Sequence, residues 1–212
     1  GLGQTQAILP QLSNSLIQPG ATGSRLLSGN LPLHETVEAE LAAFHEASSA
    51  LLCNTGYQAN LALLSSLMTR DDTILYDAYL HASLRQGLQL SNARCYKFRH
   101  NDIGSLAQKY RAAKGRVLIV VESLYSMDGD EAPLEALADF CHAHCCDLVV
   151  DEAHATGIMG QQGEGLVQAK GLAACVTARI HTFGKAVGTQ GAVILGSQTL
   201  KAYLVNFAKP FI

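Results

Sequence analysis

The sequence predicts an α/β fold, a mostly parallel sheet flanked by helices, and two observations carry that expectation. Short β-branched or apolar runs alternate with longer stretches of helical period along the chain. Several of those runs, RVLIVVES and DLVVDE above all, are almost continuously apolar, as strands buried on both faces must be. With 212 residues, 48% of them hydrophobic, the chain is long enough for one good-sized domain with a real core.

Taken in order, a first helix starts near Glu35, because Val37, Leu41 and Phe44 recur on one face. ALLCN (50–54) follows as a strand, and a helix runs from Gln58 to Met68. TILYD (73–77) and RCYKF (94–98) are strands, each followed by a helix, the first from near Ser83 and the second from near Gly104. RVLIVVES (116–123) precedes a helix that opens near Pro133, and DLVVDE (147–152), ARIHTF (178–183) and GAVILG (191–196) complete the strands. Residues 1–34 read as a loop segment leading into a large domain over 35–212, with no internal repeat or linker.

Net charge is −3 and the cations are scattered, which excludes the footprint of a nucleic-acid binder. No run of 18 apolar residues suggests a membrane span, and GLGQTQAILPQLSNS lacks the order of a signal peptide, so the chain reads as cytoplasmic. Six cysteines in a chain this long read as reduced thiols. In CHAHCC (141–146), Cys141 and Cys145 follow the helical spacing of a core face, while His142 and His144 diverge and cannot share an ion. No metal is expected there.

In a parallel sheet, ligands gather beyond the carboxyl ends of the strands. The residues just after the strands carry the chemistry. NTGYQAN places Gly56 and Tyr57 where a helix begins, a ready seat for a phosphate, although a plain strand-to-helix turn has the same form. Neither GxxxxGK[ST] nor an early GxGxxG is present, which argues against those nucleotide folds. DLVVDEAHATG puts Asp151 at a buried strand end, where a carboxylate needs a positive partner such as a protonated ring nitrogen. Glu152 reads as a solvated turn residue, and a metal site of Asp151, Glu152 and His154 lacks further ligands. Lys185 sits among Gly184, Ala186 and Gly188, small neighbours that let a planar ligand approach its amine, although most lysines are surface residues. His81 either stacks on such a ligand or caps a helix; Ser126 either donates to a phenolate or is a turn residue. A phosphate seat, a strand-end acid and a glycine-flanked lysine together are what pyridoxal phosphate (PLP) requires.

These stretches, with GATGSRLLSGNLPLHETVEAELA, YLHASL, RHND, ESLYSMDGDEAPL, VDEAHATGIMGQQGEG and HTFGKAVGTQGAVILGS, resemble the α-oxoamine synthases, fold-type I enzymes of the aspartate aminotransferase superfamily. The resemblance spans nearly the whole chain. It implies a PLP-binding large domain in which Lys185 carries the cofactor as a Schiff base and Asp151 pairs with the pyridine nitrogen. His81 would stack on the ring, Ser126 and His154 would donate to its phenolic oxygen, and Gly56, Tyr57 and Thr182 would hold the phosphate. The implied reaction is a decarboxylating condensation of an amino acid, alanine, with a pimeloyl-CoA or pimeloyl carrier-protein thioester. Glycine- and serine-using members of the family are the alternatives, as is an inactive cofactor-binding fragment. Homodimers with the site at the subunit interface are implied as well. The family continues past NFAKPFI into a small domain that carries a carboxylate-binding arginine, so a chain of these residues alone is expected to hold cofactor with little turnover.

Overall fold

A computed structural model describes residues 23–211. Its elements are α1 (Pro32–Phe44), β1 (Ser49–Cys53), α2 (Gly56–Ser66), β2 (Thr73–Asp77), α3 (Ala82–Leu90), β3 (Arg94–Phe98), α4 (Ile103–Tyr110), β4 (Val117–Glu122), α5 (Leu134–His144), β5 (Asp147–Asp151), α6 (Leu166–Ala169), β6 (Ala178–Thr182), β7 (Ala192–Gly196) and α7 (Gln198–Phe207). The strands expected at 73–77 and 94–98 are found at those bounds, and the other five lie within a residue of theirs.

The strands form one sheet in the order β1-β7-β6-β5-β4-β2-β3. β3, β2, β4, β5 and β6 run parallel, while β7 is antiparallel to both β6 and β1. Hydrophobic cores cover both faces, and the period of 2 sorts each strand between them. In β4, Leu118 and Val120 join α2 and α3, whereas Val117, Ile119 and Val121 join α5 and α6. Leu63 and Leu64 of α2 are wholly buried, each contributing about 2 kcal/mol of apolar burial. The same alternation decides where the strand-end polar groups go. Glu122, Asp151 and Thr182 continue the α2 face beyond Val120, Val149 and Ile180, whereas Asp77 and Glu152 continue the opposite face.

Three expectations change. The helix α1 does not present Val37, Leu41 and Phe44 as its buried face; Phe44 is exposed, and Glu38 is the buried residue. Leu41 and Ala42 meet the β1–β7 end of the sheet, which rotates Glu38 inward to accept from Arg25 Nη1 at 2.6 Å, Lys201 Nζ at 2.7 Å and the Leu52 amide at 2.8 Å. Cys141 is buried as expected, but Cys145 is exposed because the helix stops at His144 and Cys145 is its left-handed C-cap, at φ 52°. The helix α7 is not among the expected elements. Its signal is nonetheless local: the Ser197 hydroxyl accepts from the Leu200 amide at 3.0 Å, and Leu200 and Leu204 share the buried face. Among the described residues, no helix is long and apolar enough to cross a membrane. Residues 1–22 of the expected leading segment lie outside the described residues.

Candidate active site

The ends of β4, β5 and β6 open onto the start of α2. Thr55 caps that helix by accepting the Gln58 amide at 3.1 Å, which leaves the Gly56 and Tyr57 amides without helical acceptors, as at any helix N-terminus. A Cβ at Gly56 would lie 3.2 Å from the Thr182 side chain. Gly56 and Thr182 therefore adjoin, and a larger residue at 56 would press on the Thr182 side chain. The Tyr57 ring is exposed and its hydroxyl contacts Gln86.

Asp151 is buried. Its Oδ1 accepts the Ala153 amide at 2.9 Å and its Oδ2 accepts Asn60 Nδ2 at 2.8 Å. Asn60 Nδ2 also donates to Ser83 Oγ at 2.9 Å, and that hydroxyl lies 2.8 Å from His81 Nδ1. Because His81 Nδ1 accepts the Ser83 amide at 3.2 Å, that nitrogen presents its lone pair, and the Ser83 hydroxyl donates to it. A continuous relay thus joins Asp151 to His81 and leaves Nε2–H as the outward edge of an exposed imidazole. His81 is indeed the N-cap of α3. Neither Asn60 nor Ser83 stands out in the sequence, because a polar residue in a helix shows its partner only when two helices meet.

Lys185 is exposed as a residue, but its Nζ lies 2.7 Å from His154 Nε2. Burial of the amine lowers its pKa, with Asp151 and Glu122 opposing. Burial also lowers the pKa of His154, and the positive charge of Lys185 adds to that. Both groups are thereby shifted toward giving up a proton relative to isolated side chains. Glu122, which no motif singles out, stands beside Asp151 in register and accepts the His81 amide at 2.5 Å. Burial, then the neighbouring Asp151, raises its pKa to about 7. Its signal in the sequence is an acid ending an apolar run, the one that marks Asp151.

A carboxyl whose pKa rises on folding stabilises fully below its unfolded value and loses that contribution as pH climbs through the folded value. Glu122→Gln keeps an acceptor for the His81 amide and removes the titration. Wild-type stability should fall between about pH 5 and pH 8 by on the order of 3 kcal/mol, and the variant should lose much less. Urea unfolding of both proteins at the two pH values checks this; parallel losses would refute it.

Ser126 is exposed on the loop after β4 and lines a cleft of ≈ 450 Å³ with His81, Tyr79 and Met127. It makes no contact with Lys185 among the bonds of the described residues, so the structure brings Ser126 to His81 rather than to the amine. Glu152 is not a solvated turn carboxylate. It is wholly buried, accepting from Ser123 Oγ at 2.6 Å and from the Val167 and Leu166 amides at 2.6 and 3.0 Å. Strand alternation turns it away from Asp151, so it belongs to the opposite face. Among the described residues, no cluster of three His, Cys, Asp or Glu side chains is placed to hold a metal ion.

The family model for aminotransferase class I and II matches residues 2–212. The chain is 40% identical to a curated 8-amino-7-oxononanoate synthase of Trichlorobacter lovleyi over its whole length, and 44% identical to that of Marinobacter nauticus over 91% of it, covering 55% and 49% of those proteins. It thus spans about half the length of the curated relatives it matches. A serine palmitoyltransferase from S. paucimobilis with bound PLP-myriocin aldimine superposes with a TM-score of 0.86 at 34% identity, covering 91% of this chain and 50% of that one. An 8-amino-7-oxononanoate synthase from Francisella tularensis superposes with a TM-score of 0.77 at 30% identity over 86% of this chain and 53% of that one. These relatives are α-oxoamine synthases, in line with the resemblance that the motifs carry. The chain belongs to the aminotransferase class I and II family.

Proposed function

We propose that this chain is the PLP-binding part of an α-oxoamine synthase that joins alanine to a pimeloyl thioester, with loss of carbon dioxide, to form 8-amino-7-oxononanoate. The carrying observation is Asp151, a buried carboxylate whose two hydrogen bonds come from neutral amides and which takes part in none of the ion pairs among the described residues. Such a group suits a cationic ring nitrogen. The donor set fits the rest of PLP, since the α2 amides at Gly56 and Tyr57, with the Thr182 hydroxyl beside them, offer a phosphate seat that a side chain at Gly56 would crowd. When bound, PLP supplies an aldehyde for an amine and a protonated ring that withdraws electrons from the α-carbon of an amino acid.

The residues themselves do four things. Lys185 Nζ presents an amine whose pKa burial lowers, and His154 Nε2 receives or returns its proton across 2.7 Å. Asp151, held by Asn60, places its carboxyl at the strand end. His81, fixed as its Nε2–H tautomer by Ser83, offers a flat exposed face and one donor. Ser126 offers a hydroxyl from the far side of the cleft. Exposed Tyr79 and Met127 at the mouth fit a site completed by a second copy in a homodimer.

The names of the curated relatives favour alanine and the pimeloyl donor. Serine is the second reading, because the palmitoyltransferase superposes more closely than the Francisella synthase. Borohydride treatment of the full-length protein with PLP, followed by peptide mass mapping, should place the pyridoxyl mass on Lys185. With pimeloyl-CoA, carbon dioxide release should be fastest with alanine. A label elsewhere would sink the site, and faster turnover with serine or glycine would sink the substrate assignment.

A further inference from the structure

We propose that His100 is a positioning residue: an imidazolium at neutral pH whose two N–H groups clasp Asp77 and Asp130, holding the Ser126 loop against the sheet. Its relevance to the cofactor rests on the PLP reading; its charge and its clasp do not.

The geometry leaves the ring little choice. His100 Nδ1 lies 2.8 Å from Asp77 Oδ1, and Nε2 lies 2.8 Å from Asp130 Oδ2. A neutral imidazole has one N–H and one lone pair, and an ionised carboxylate only accepts. One nitrogen of a neutral ring would therefore face a carboxylate lone pair to lone pair. Asp77 offers lone pairs on both oxygens, because its Oδ1 also takes the Tyr79 amide at 2.8 Å and its Oδ2 the Asn101 amide at 2.9 Å. Asp130 Oδ2 likewise accepts Asn101 Nδ2 at 2.8 Å. Asn101 Nδ2 also stands 3.3 Å from Nε2, but with both aspartates ionised the two shorter 2.8 Å contacts are met together only when both ring nitrogens donate, which makes the ring a cation.

Aromatic neighbours suit a cation too. Tyr79 stacks on the imidazole at 4.2 Å and 17°, and Tyr125 meets it edge-on at 4.5 Å. The titratable groups around the ring are Asp77 from the end of β2, Tyr79 from the turn after it, and Asp130 and Tyr125 from the loop after β4. Burial opposes the charge, and the two aspartates outweigh it, so the pKa is raised above the ordinary histidine value.

Mechanically, the clasp joins parts far apart in sequence. The loop folds on itself through the Leu124–Glu131 bridge, Tyr125 N to Asp130 O at 3.0 Å and Gly129 N to Tyr125 O at 2.9 Å. Those bonds shape the loop; buried Tyr125 and Ala132 anchor its base in the core, Asn101 Nδ2 donates to the Glu131 carbonyl at 3.1 Å, and His100 and Asn101 grip Asp130. Ser126 and Met127 at its tip line the cleft beside His81. A histidine whose folded pKa is raised stabilises fully below its unfolded pKa and loses that contribution as pH rises through the folded one. The clasp thus holds while the ring is protonated and loosens as pH rises through the folded midpoint.

The test is imidazole 15N NMR of the full-length protein, with hydrogen exchange of the loop. At about pH 7 both His100 nitrogens should carry protons, with a midpoint above the ordinary value of roughly 6.5. Exchange protection of the Tyr125 and Gly129 amides should fall through the same midpoint. Asp130→Ala, which spares the Asp77 contact, should lower the midpoint, strip that protection at neutral pH and weaken PLP binding about fivefold, with borohydride still labelling Lys185. A neutral tautomer in the wild type at about pH 7 would overturn the proposal, as would unchanged loop exchange in Asp130→Ala. Failure of PLP to bind at all would instead sink the cofactor reading, with the clasp still decided by the NMR and exchange results.

Discussion

Lys185→Ala in the full-length protein is expected to lower turnover by about 10³-fold or more, equivalent to roughly 4 kcal/mol of transition-state stabilisation. The variant removes the amine that faces His154 Nε2 at 2.7 Å and that interacts with both Asp151 and Glu122. Glu122 and Asp151 cannot replace it by reaching in, because they are held by the His81 and Ala153 amides and by Asn60. Folding should be nearly indifferent to the change, within about 0.5 kcal/mol, since the side chain is exposed and caps nothing. His154 provides an independent readout. With the lysine charge gone, one of the causes that lower its pKa disappears, so its titration should move back up toward the ordinary value while burial still holds it below. Near-normal turnover with intact folding would remove Lys185 from the centre of the mechanism.

Glu152→Ala should do the reverse, destabilising the fold by about 3–5 kcal/mol while sparing the chemistry of the other face. The carboxylate is wholly buried and accepts from the Ser123 hydroxyl and from the first two amides of α6. Alanine would leave three buried donors without acceptors and a void beside Gly165, where even a Cβ would come within 2.9 Å of Glu152 Oε2. Gly165 has φ 99°, so the turn into α6 is shaped around that carboxylate. Glu152→Gln should cost less, because the amide oxygen replaces one acceptor while its NH₂ confronts a donor. Denaturant midpoints for the two variants measure this, and a loss below about 1 kcal/mol for Glu152→Ala would show that water or rearrangement replaces the carboxylate.

Much of the site is legible in the sequence because it lies at strand ends. Asp151 and Lys185 are marked by their positions after apolar runs, since a parallel sheet gathers the residues beyond its strand ends along one edge. Glu122 obeys the same rule, yet in the sequence it passes for the last acid of an apolar string. Glu152 looks like a solvated turn residue because its burial comes from α6, a four-residue helix with little periodic signal of its own. Phe44 misleads for the opposite reason. It fits a helical stripe, but Arg25 and Lys201 make an inward Glu38 the better-satisfied residue, and the helix rolls accordingly.

By itself, the sequence determined the alternation of strands and helices, their bounds to within a residue or so at the strands, and the chemistry waiting after each strand. Those features depend on side-chain period and local turns, which act over a few residues. Only the tertiary structure decided that Asn60 and Ser83 link Asp151 to His81, that Glu152 faces away from Asp151, and that His100 stands between two aspartates. Each of these depends on groups tens of residues apart meeting across a sheet edge. A hydrogen bond or ion pair between them leaves no period in the chain, because its partner is chosen by packing rather than by neighbourhood in sequence.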